Sequence, residues 1–200
     1  MLYKVLCWPA RLFFAIFFRW QITGLENIPK TGALLVCNHL SFWDIPLLGA
    51  ALPRPVHFMA KRELFKNPVF AYIISSLNAF PVNRGTPDRA ALKYAIDLMK
   101  HGEIVAVFPE GTRSKTGELG QFQPGAALLA TKADVPAIPA VLVGTNLMFG
   151  NGEFFPQLKV HVGEPIFPAL KDSATGDRHS TETLSQAIFE SIQSLSAKLK

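Results

Sequence analysis

A histidine and an aspartate five residues apart offer a base and its orienting partner. His39 and Asp44 follow the apolar run Ala33–Cys37, which is typical of a buried strand. A histidine at the carboxyl end of a strand, with a carboxylate within reach, has the geometry that a general base requires. Positions five apart on an ideal helix point about 140° away from each other. We therefore expect His39 to lie in a loop and a helix to begin at Ser41.

A second apolar run ends in a carboxylate, a glycine and a guanidinium. Residues 104–108 are typical of another buried strand, and Glu110, Gly111 and Arg113 follow it directly. In an open α/β sheet, ligands bind beyond the carboxyl ends of the strands. The two segments therefore predict one site at one edge of a sheet, with a base beside an anion-binding clamp.

The histidine and the aspartate also have a simpler interpretation. Ser41-x-x-Asp44 fits a capping box, in which the acid accepts hydrogen bonds from backbone amides at a helix start. The local pattern does not separate this interpretation from a catalytic pair. The arginine-bearing segments farther along the chain favour the catalytic pair.

Four segments match, in order, the sequence blocks of a known enzyme family. They are residues 38–44 with the His-x4-Asp pattern, residues 78–84 (Asn-Ala-Phe-Pro-Val-Asn-Arg), residues 108–114 (Phe-Pro-Glu-Gly-Thr-Arg-Ser) and the proline-spaced residues 135–141. The chain resembles the 1-acyl-sn-glycerol-3-phosphate (lysophosphatidic acid) acyltransferase family of glycerophospholipid acyltransferases. The first and third blocks are the most specific. Asn78 and Asn83 stand where the family often has glycine and aspartate.

This resemblance implies acyl transfer without a protein nucleophile. His39 would take the proton from a free hydroxyl of the acceptor lipid, and that oxygen would attack the carbonyl of an acyl thioester. Asp44 would orient the imidazole and stabilise the imidazolium. Amides at the helix start after Ser41 would be candidate donors to the oxyanion. Because a thiolate is a good leaving group, we expect no metal and no cofactor, with acyl-CoA or acyl-carrier protein as the co-substrate.

The resemblance also implies a site for the phosphate and the glycerol of the acceptor. The residues expected there are Lys61, Arg84, Glu110, Gly111, Thr112 and Arg113. Guanidinium groups match phosphate oxygens in a bidentate way, and glycine permits a tight turn beside a ligand. Glu110 would accept from the glycerol hydroxyl or hold an arginine in place. Each cation could instead be an ordinary solvated surface charge. The acyl chain would follow the fourth block or the apolar residues 69–77, unless these are ordinary core.

The composition favours a membrane surface over nucleic acid as a partner. Of the 200 residues, 49% are hydrophobic, and the net charge is +5. An anionic membrane suits both properties. The chain has no basic run and no recognition-helix pattern of the kind that nucleic-acid binders carry. Cys7 and Cys37 form no disulfide framework, and Cys37 is expected to be a buried strand residue in a reducing compartment.

The amino-terminal segment has the features of a helix that lies in a membrane interface. Its apolar core, residues 12–18, lies between Arg11 and Arg19 and is much shorter than the roughly twenty residues that span a bilayer. Trp8 and Trp20 suit the level of the lipid headgroups. Secretion is not expected, since no small-residue cleavage site follows. The alternative is a terminal helix packed on the core of the domain, and both could hold.

Alternating strand and helix patterns predict an α/β fold, with a central β-sheet flanked by helices in one layered acyltransferase domain. Further helices are expected from residue 67 onward, over 89–100, over 123–133 and near the carboxy terminus. Further strands are expected over 56–60, 137–143 and 158–162. Residues 1–22 would form the membrane-interface segment and 23–170 the acyltransferase domain. Residues 171–200 would form a polar linker and an amphipathic helix packed on that domain.

Together these features predict a monotopic membrane enzyme at the cytoplasmic face of the inner or plasma membrane. Its partners would be lysophosphatidic acid, an acyl thioester and the membrane surface, with acyl-carrier protein as one possible donor, and its product phosphatidic acid. One alternative is transfer to another lyso-lipid or to an amine acceptor. Another is a non-catalytic protein that binds anionic lipids. The intact pair of His39 and Asp44 argues against the latter, since a phosphate binder gains nothing from it.

Overall fold

Helices and strands alternate along the chain. The computed structural model describes residues 2–83, 85, 88–114, 116–149, 154–168 and 178–199. Its helices are Leu2–Phe17 (α1), Asp44–Ala51 (α2), Pro68–Ser76 (α3), Arg89–Lys100 (α4), Gly125–Ala133 (α5) and Arg178–Leu199 (α6). Its strands are Gln21–Thr23 (β1), Ala33–Cys37 (β2), Val56–Lys61 (β3), Ala79–Val82 (β4), Ile104–Val107 (β5), Ala137–Val143 (β6) and Lys159–Val162 (β7). The predicted α/β fold is confirmed.

The strands form one mixed sheet in the order β1-β7-β6-β2-β5-β3-β4. All neighbouring pairs are parallel except β6 and β7. β2 lies between β5 and β6, and all five of its residues are buried, as expected for a parallel strand that is covered on both faces. The carboxyl ends of β2, β5 and β6 therefore meet at one edge of the sheet, and the loops that leave them lie close together.

Helices cover both faces of the sheet and divide the core into two clusters. Leu35 and Cys37 point into a cluster with α1 and α2. Leu34 and Val36, which alternate with them, point into a cluster with α4, α5 and α6. Side chains of a strand alternate between the two faces, so β2 contributes to both clusters. Cys37 is a free, fully buried thiol, and burial raises its pKa.

The two ends of the chain both pack on the sheet. Phe14 and Phe18 are buried in the core, so α1 packs on the domain as the alternative interpretation proposed, while its outer face stays exposed. The expected boundary at residue 22 falls inside β1, which pairs with β7. α6 packs on α5 and β6, as expected for the carboxy-terminal helix. Residues 171–177 of the expected polar linker lie outside the described residues.

Local sequence signals explain several boundaries and one error. α4 has the expected bounds, with an Asp88 side chain that accepts from the amide of Ala91 at its start and Gly102, at φ +89°, after its end. α2 begins at Asp44, three residues later than the start expected at Ser41. No strand was predicted at β1 or β4, which are three and four residues long. β4 also contains Pro81, and proline weakens a strand pattern.

Candidate active site

The loop between β2 and α2 brings the histidine and the aspartate together. Nδ1 of His39 lies 2.7 Å from Oδ2 of Asp44. Asp44 is the first residue of α2, and its carboxylate turns back over the loop toward the imidazole. Because an ionised carboxylate can only accept, Nδ1 carries the hydrogen and Nε2 remains the basic nitrogen. This arrangement can hold an imidazole ready to take a proton at Nε2.

The Asp44 carboxylate is completely buried and has four hydrogen-bond donors. Oδ2 also accepts from the amides of Leu40 and Ser41, at 2.7 and 2.8 Å. Oδ1 accepts from the hydroxyl of Thr145 at 2.5 Å. One carboxylate therefore accepts both from the imidazole and from backbone amides, so the contacts expected under the two interpretations are present together. These donors fix the orientation of the carboxylate and compensate for its removal from water.

The third sequence block holds the backbone of the histidine. The amide of His39 donates to Oε1 of Glu110 at 3.0 Å, and its carbonyl accepts from the amide of Ser114 at 2.8 Å. The imidazole stacks on the ring of Phe108, with the ring centres 4.0 Å apart and the planes 17° apart. Two blocks about seventy residues apart in the chain therefore form one structural unit, which leaves the imidazole little freedom to turn.

Glu110 binds two backbone amides, which the sequence did not predict. Its Oε1 accepts from the amide of His39, and its Oε2 accepts from the amide of Gly120 at 3.1 Å. Both carboxylate oxygens are therefore engaged by the backbone, whereas the expectation was a glycerol hydroxyl or an arginine. A sequence pattern shows which side chains are near each other but not which backbone amides need an acceptor. We regard Glu110 as a positioning residue.

A cavity of about 920 Å³ opens beside the imidazole. Its polar lining includes His39, Lys61, Glu110 and Thr112, and its apolar lining comes from strands β3, β4 and β5 and from the residue after β5. The apolar residues are Met59, Val82, Ala106, Val107 and Phe108. A site with a base, a cation and an apolar wall can hold an amphiphilic molecule. Among the described residues, no group of three or more His, Cys, Asp or Glu side chains is placed to bind a metal ion.

The expected cations differ in how they relate to this cavity. Lys61 lines it and lies 3.6 Å from Glu63 in an exposed ion pair. Residues 38–43, between β2 and α2, form what we call the histidine loop. The guanidinium of Arg113 lies 3.9 Å above the ring of Phe42, on the exposed side of this loop. Arg84 lies outside the described residues, between Asn83 and Gly85. Gly85 lines the cavity, so the chain on either side of Arg84 runs close to it.

Two positions in the matched sequence blocks have a left-handed backbone, and they hold a glycine and an asparagine. Gly111 has φ +70°, and a Cβ built there meets nothing within 4 Å. The tight turn expected at Gly111 is therefore present. Gly111 and Thr112 both line the cavity. Asn78, which stands where the family often has glycine, has φ +61°. Asparagine tolerates this conformation better than most residues, so the departure keeps the turn.

The second departure from the family pattern has a local partner. The backbone and side-chain amides of Asn83 both donate to Oδ2 of Asp88, at 3.0 and 2.9 Å. The backbone amides of Asn83 and Ala91, and the guanidinium of Arg62, lower the pKa of the Asp88 carboxyl. An aspartate at position 83 would offer no side-chain donor and would repel Asp88. Asn83 therefore fits the capping residue of α4 in this chain.

Neither segment suggested for the acyl chain lines the cavity. Val135, Ala137 and Val141 of the fourth block are buried in the core shared with α4, α5 and α6, so this block is ordinary core. α3 contributes no residue to the cavity wall and has no buried residue. The apolar wall next to His39 comes instead from β3, β4 and β5.

Three of the amides near the start of α2, where oxyanion donors were expected, are already engaged within the loop. The amide of Ser41 donates to Asp44, that of Trp43 to Oγ of Ser41, and that of Asp44 to the carbonyl of Ser41. Pro46, in the first turn of α2, has no N–H group. The helix begins three residues later than expected, so its first amides are those of α2 from Asp44 onward.

Two buried polar residues support the site without having been identified from the sequence. Thr145 follows β6 in a 3₁₀ turn and donates to Asp44. The side chain of Asn38 accepts from the amide of Leu142 at 2.8 Å and donates to its carbonyl at 3.0 Å, which ties the histidine loop to β6. A single threonine or asparagine beside an apolar run has no periodic signal, and only its position directly before His39 could have singled out Asn38.

Comparison with known proteins decides the family. A family model described as Acyltransferase matches residues 19–143, more than half of the chain. The chain belongs to the acyltransferase family. The matched range of this acyltransferase contains β1 to β6 and both segments of the site, and it ends before Thr145.

Relatives of this acyltransferase cover most of its length. The 1-acyl-sn-glycerol-3-phosphate acyltransferase of Bacillus subtilis (strain 168) is 33% identical over 185 residues, which cover 90% of the chain and 89% of that protein. A chloroplastic protein of the same name from Brassica napus is 36% identical over 164 residues, and the chain spans 47% of its length. The crystal structure of the 1-acyl-sn-glycerophosphate (LPA) acyltransferase PlsC from Thermotoga maritima superposes with a TM-score of 0.75 at 29% identity, covering 98% of this chain and 80% of that one.

Proposed function

We propose that the protein transfers an acyl group from an acyl thioester to the free hydroxyl of 1-acyl-sn-glycerol-3-phosphate and thereby makes phosphatidic acid. The observation that carries this proposal is the pair of His39 and Asp44 beside the cavity, with Nδ1 bound to the carboxylate. The names of the relatives support this acceptor. The acyl thioester is a co-substrate, either acyl-CoA or acyl-carrier protein, and the proposed reaction uses no further cofactor.

The proposed reaction needs one base and no covalent enzyme intermediate. Nε2 of His39 takes the proton of the acceptor hydroxyl as its oxygen attacks the thioester carbonyl. Asp44 stabilises the imidazolium that forms. The tetrahedral intermediate then collapses, its C–S bond breaks, and the proton on His39 passes to the leaving thiolate. The products are the ester and a free thiol, and the imidazole is neutral again.

The phosphate of the acceptor would be held at the cationic side of the cavity. Lys61, Gly111 and Thr112 line it, and Arg84 and Arg113 belong to the segments that surround it. A fork of two N–H groups pairs with two phosphate oxygens, which a lysine cannot do. We therefore expect Arg113→Lys or Arg84→Ala to raise the KM for the acceptor about tenfold, since hydrogen bonds to charged groups contribute about 1.5–3 kcal/mol. The KM for the acyl donor should change little.

A direct assay tests the proposal. The purified protein is incubated with labelled acyl-CoA or labelled acyl-carrier protein and a panel of lyso-lipids and amines. We expect label to enter phosphatidic acid from 1-acyl-sn-glycerol-3-phosphate with at least one of the two donors. Transfer only to another lyso-lipid or to an amine would replace the proposed acceptor. Binding of lysophosphatidic acid without transfer to any acceptor would show a lipid-binding protein and would overturn the proposed activity.

We further propose that α1 attaches the protein to the cytoplasmic face of a membrane. Its outer face exposes Val5, Trp8, Leu12 and Ile16 at helical spacing, and the guanidinium of Arg11 lies above the ring of Trp20. An apolar helix face bordered by cations is typical of interfacial helices. No helix within the described ranges is long and apolar enough to cross a membrane. The unpaired thiols of the chain are consistent with a reducing compartment.

Substitution of the exposed face of α1 tests this attachment better than removal of the helix. Phe14 and Phe18 belong to the core, so deletion of residues 1–20 would uncover apolar surface and destabilise the domain. Leu12→Glu/Ile16→Glu leaves both phenylalanines in place. We expect this variant to fold and to bind vesicles of phosphatidylcholine and phosphatidylglycerol at least about tenfold more weakly. Binding equal to that of the unmodified protein would overturn the proposed attachment.

A further inference from the structure

Helix α3 is apolar, yet it buries none of its residues. Its nine residues are Pro-Val-Phe-Ala-Tyr-Ile-Ile-Ser-Ser, and none of them is buried. Val69, Phe70, Tyr72 and Ile73 are exposed, Tyr72 at 68% of its surface. A helix in a water-soluble domain normally turns its apolar residues toward the core. An apolar helix with exposed side chains around most of its circumference needs a partner outside the domain.

The sheet topology places α3 on the same side as α1. The connections β2–α2–β3 and β3–α3–β4 step across the sheet in the same direction. Crossovers between parallel strands are right-handed, so α2 and α3 lie on the same side of the sheet. α1 packs on α2. The exposed apolar residues of α1 and α3 therefore belong to one side of the molecule, which we call the α1–α3 side.

The opposite side of the sheet has a different surface. α4 exposes Arg89, Lys93, Asp97 and Lys100, and α6 exposes glutamate and glutamine side chains. Among the described side chains, the exposed large apolar residues of α4, α5 and α6 are Tyr94 and Leu128. On α1 and α3 they are Val5, Trp8, Leu12, Ile16, Phe17, Val69, Phe70, Tyr72 and Ile73. The apolar surface is thus concentrated on one side.

We propose that the whole α1–α3 side lies against the lipid bilayer, with α3 as a second membrane contact beside α1. This inference rests on the proposed attachment through α1 and adds a second helix and an orientation to it. Exposed cations border both helices: Arg11 within α1 and Arg19 just after it, and Arg62, which pairs with Asp88, and Lys66 just before α3. Apolar side chains next to cations match the acyl region and the anionic headgroups of a bilayer.

The orientation brings the candidate cavity to the membrane surface. α3 begins shortly after Lys61, which lines the cavity at the carboxyl end of β3. The last turn of α1 lies near the same edge of the sheet, because the ring of Phe17 packs 5.5 Å from that of Phe155, and Phe155 belongs to the aromatic cluster around Phe149 and Trp43. Trp43 adjoins Asp44 in the histidine loop. Two contacts that both reach this edge would hold the cavity at the headgroup level.

Charge substitutions on the two sides of the sheet form a matched test. Val69 and Tyr72 lie three residues apart on α3, and Tyr94 and Leu128 are their counterparts on the opposite side. We expect Val69→Glu/Tyr72→Glu to weaken binding to vesicles of phosphatidylcholine and phosphatidylglycerol about tenfold or more. The control Tyr94→Glu/Leu128→Glu should bind within about twofold of the unmodified protein. Circular dichroism and thermal melting establish that each variant is folded.

A fluorescence measurement reports the contact without removing it. Tyr72→Trp and Tyr94→Trp each add one indole, and their exposed fractions before substitution are 68% and 49%. Vesicles with brominated acyl chains should quench the added fluorescence of Tyr72→Trp, measured as the difference from the unmodified protein. They should leave that of Tyr94→Trp unquenched. Equal quenching of the two, or quenching of Tyr94→Trp alone, would overturn the orientation.

The outcomes separate this inference from the proposals on which it rests. If the unmodified protein does not bind vesicles, the proposed attachment itself is wrong. If Leu12→Glu/Ile16→Glu abolishes binding and the α3 variant binds normally, the attachment stands and the role of α3 is overturned. If the unmodified protein is a dimer in lipid-free buffer and Val69→Glu/Tyr72→Glu makes it a monomer, a second copy covers α3 and the inference is overturned. Acyl transfer to a lysolipid in detergent micelles tests the activity independently.

Discussion

The hydroxyl of Thr145 donates a hydrogen bond of 2.5 Å to Oδ1 of Asp44, although the two residues are 101 positions apart in the chain. Thr145 is 1% exposed and Asp44 is fully buried, so no water can replace this donor without a change in packing. The hydrogen bond holds one carboxylate oxygen while the other accepts from His39. Thr145 is thus a positioning residue that acts on the histidine through the aspartate.

We expect Thr145→Val to lower kcat about tenfold or more, since a hydrogen bond to a charged group contributes about 1.5–3 kcal/mol. Valine keeps the volume of threonine and leaves Oδ1 without its donor. The KM values for donor and acceptor should stay nearly constant, and Thr145→Ser should restore most of kcat. Thr131→Val is the matched control, because that hydroxyl donates to Ala127 within α5. Normal turnover of Thr145→Val would show that the contact has no role in positioning.

His39 and Asp44 should act as one unit. General-base catalysis contributes about 10² to 10⁴ in rate, and we expect His39→Ala to lose at least that factor in kcat. Because Asp44 acts through the imidazole, the double variant His39→Ala/Asp44→Ala should lose scarcely more than His39→Ala. Single-turnover assays of the three variants measure this. Multiplicative losses would mean that Asp44 contributes independently of the histidine.

Substitution of Glu110 distinguishes a positioning role from a glycerol-binding role. Its two oxygens accept from the amides of His39 and Gly120, and glutamine can accept at only one of these positions. We therefore expect Glu110→Gln to lower kcat about tenfold, with a smaller change in the KM for the acceptor. Glu110→Ala should lower kcat further. A raised acceptor KM at constant kcat would instead support direct contact with the glycerol.

Stability should fall in mild acid, in part through His57. Burial lowers the pKa of His57 below its ordinary value, and Glu103, 3.7 Å away, partly opposes this shift. As the pH falls through about 6.5, the ordinary pKa of histidine, the unfolded chain takes up this proton before the folded protein does. The free energy of unfolding therefore decreases toward lower pH. Urea titrations between about pH 7.5 and 5.5 measure it.

Substitution of His57 and substitution of Glu103 should change the pH dependence of the free energy of unfolding in opposite directions. His57→Gln removes the titrating group, so its free energy of unfolding should depend less on pH than that of the unmodified protein. Glu103→Gln removes the opposing charge, so its decline toward low pH should be steeper. Identical pH profiles for all three proteins would assign the acid sensitivity to other groups.

The sequence predicted the elements and residues that carry strong local signals. β2 and α4 appear with the expected bounds, because an unbroken apolar run and a capped periodic helix each have a clear pattern. His39 and Asp44 meet as expected, since they are only five positions apart in the chain. The predicted start of α2 was wrong. Ser41 resembles a helix cap, but its hydroxyl accepts from the amide of Trp43 in a turn that precedes the helix.

Features that depend on tertiary structure could not be predicted. The strand order depends on the direction in which each connection crosses the sheet, and no local sequence pattern contains this information. Thr145 becomes adjacent to Asp44 because β6 lies next to β2. The partners of Glu110 could not be predicted, since they are amides of segments that only the fold brings near. The exposure of α3 was likewise invisible, because its sequence matches that of a core helix.

Ribosomal synthesis delivers Thr145 long after His39 and Asp44 have left the exit tunnel. Asn38 likewise can join the histidine loop to β6 only after Leu142, 104 positions later in the chain, has been synthesised. Pairings of such large sequence separation form late in folding. A nascent chain should therefore expose α1 to the membrane while its base is still misaligned, and acyl transfer should begin only once β6 has closed the centre of the sheet.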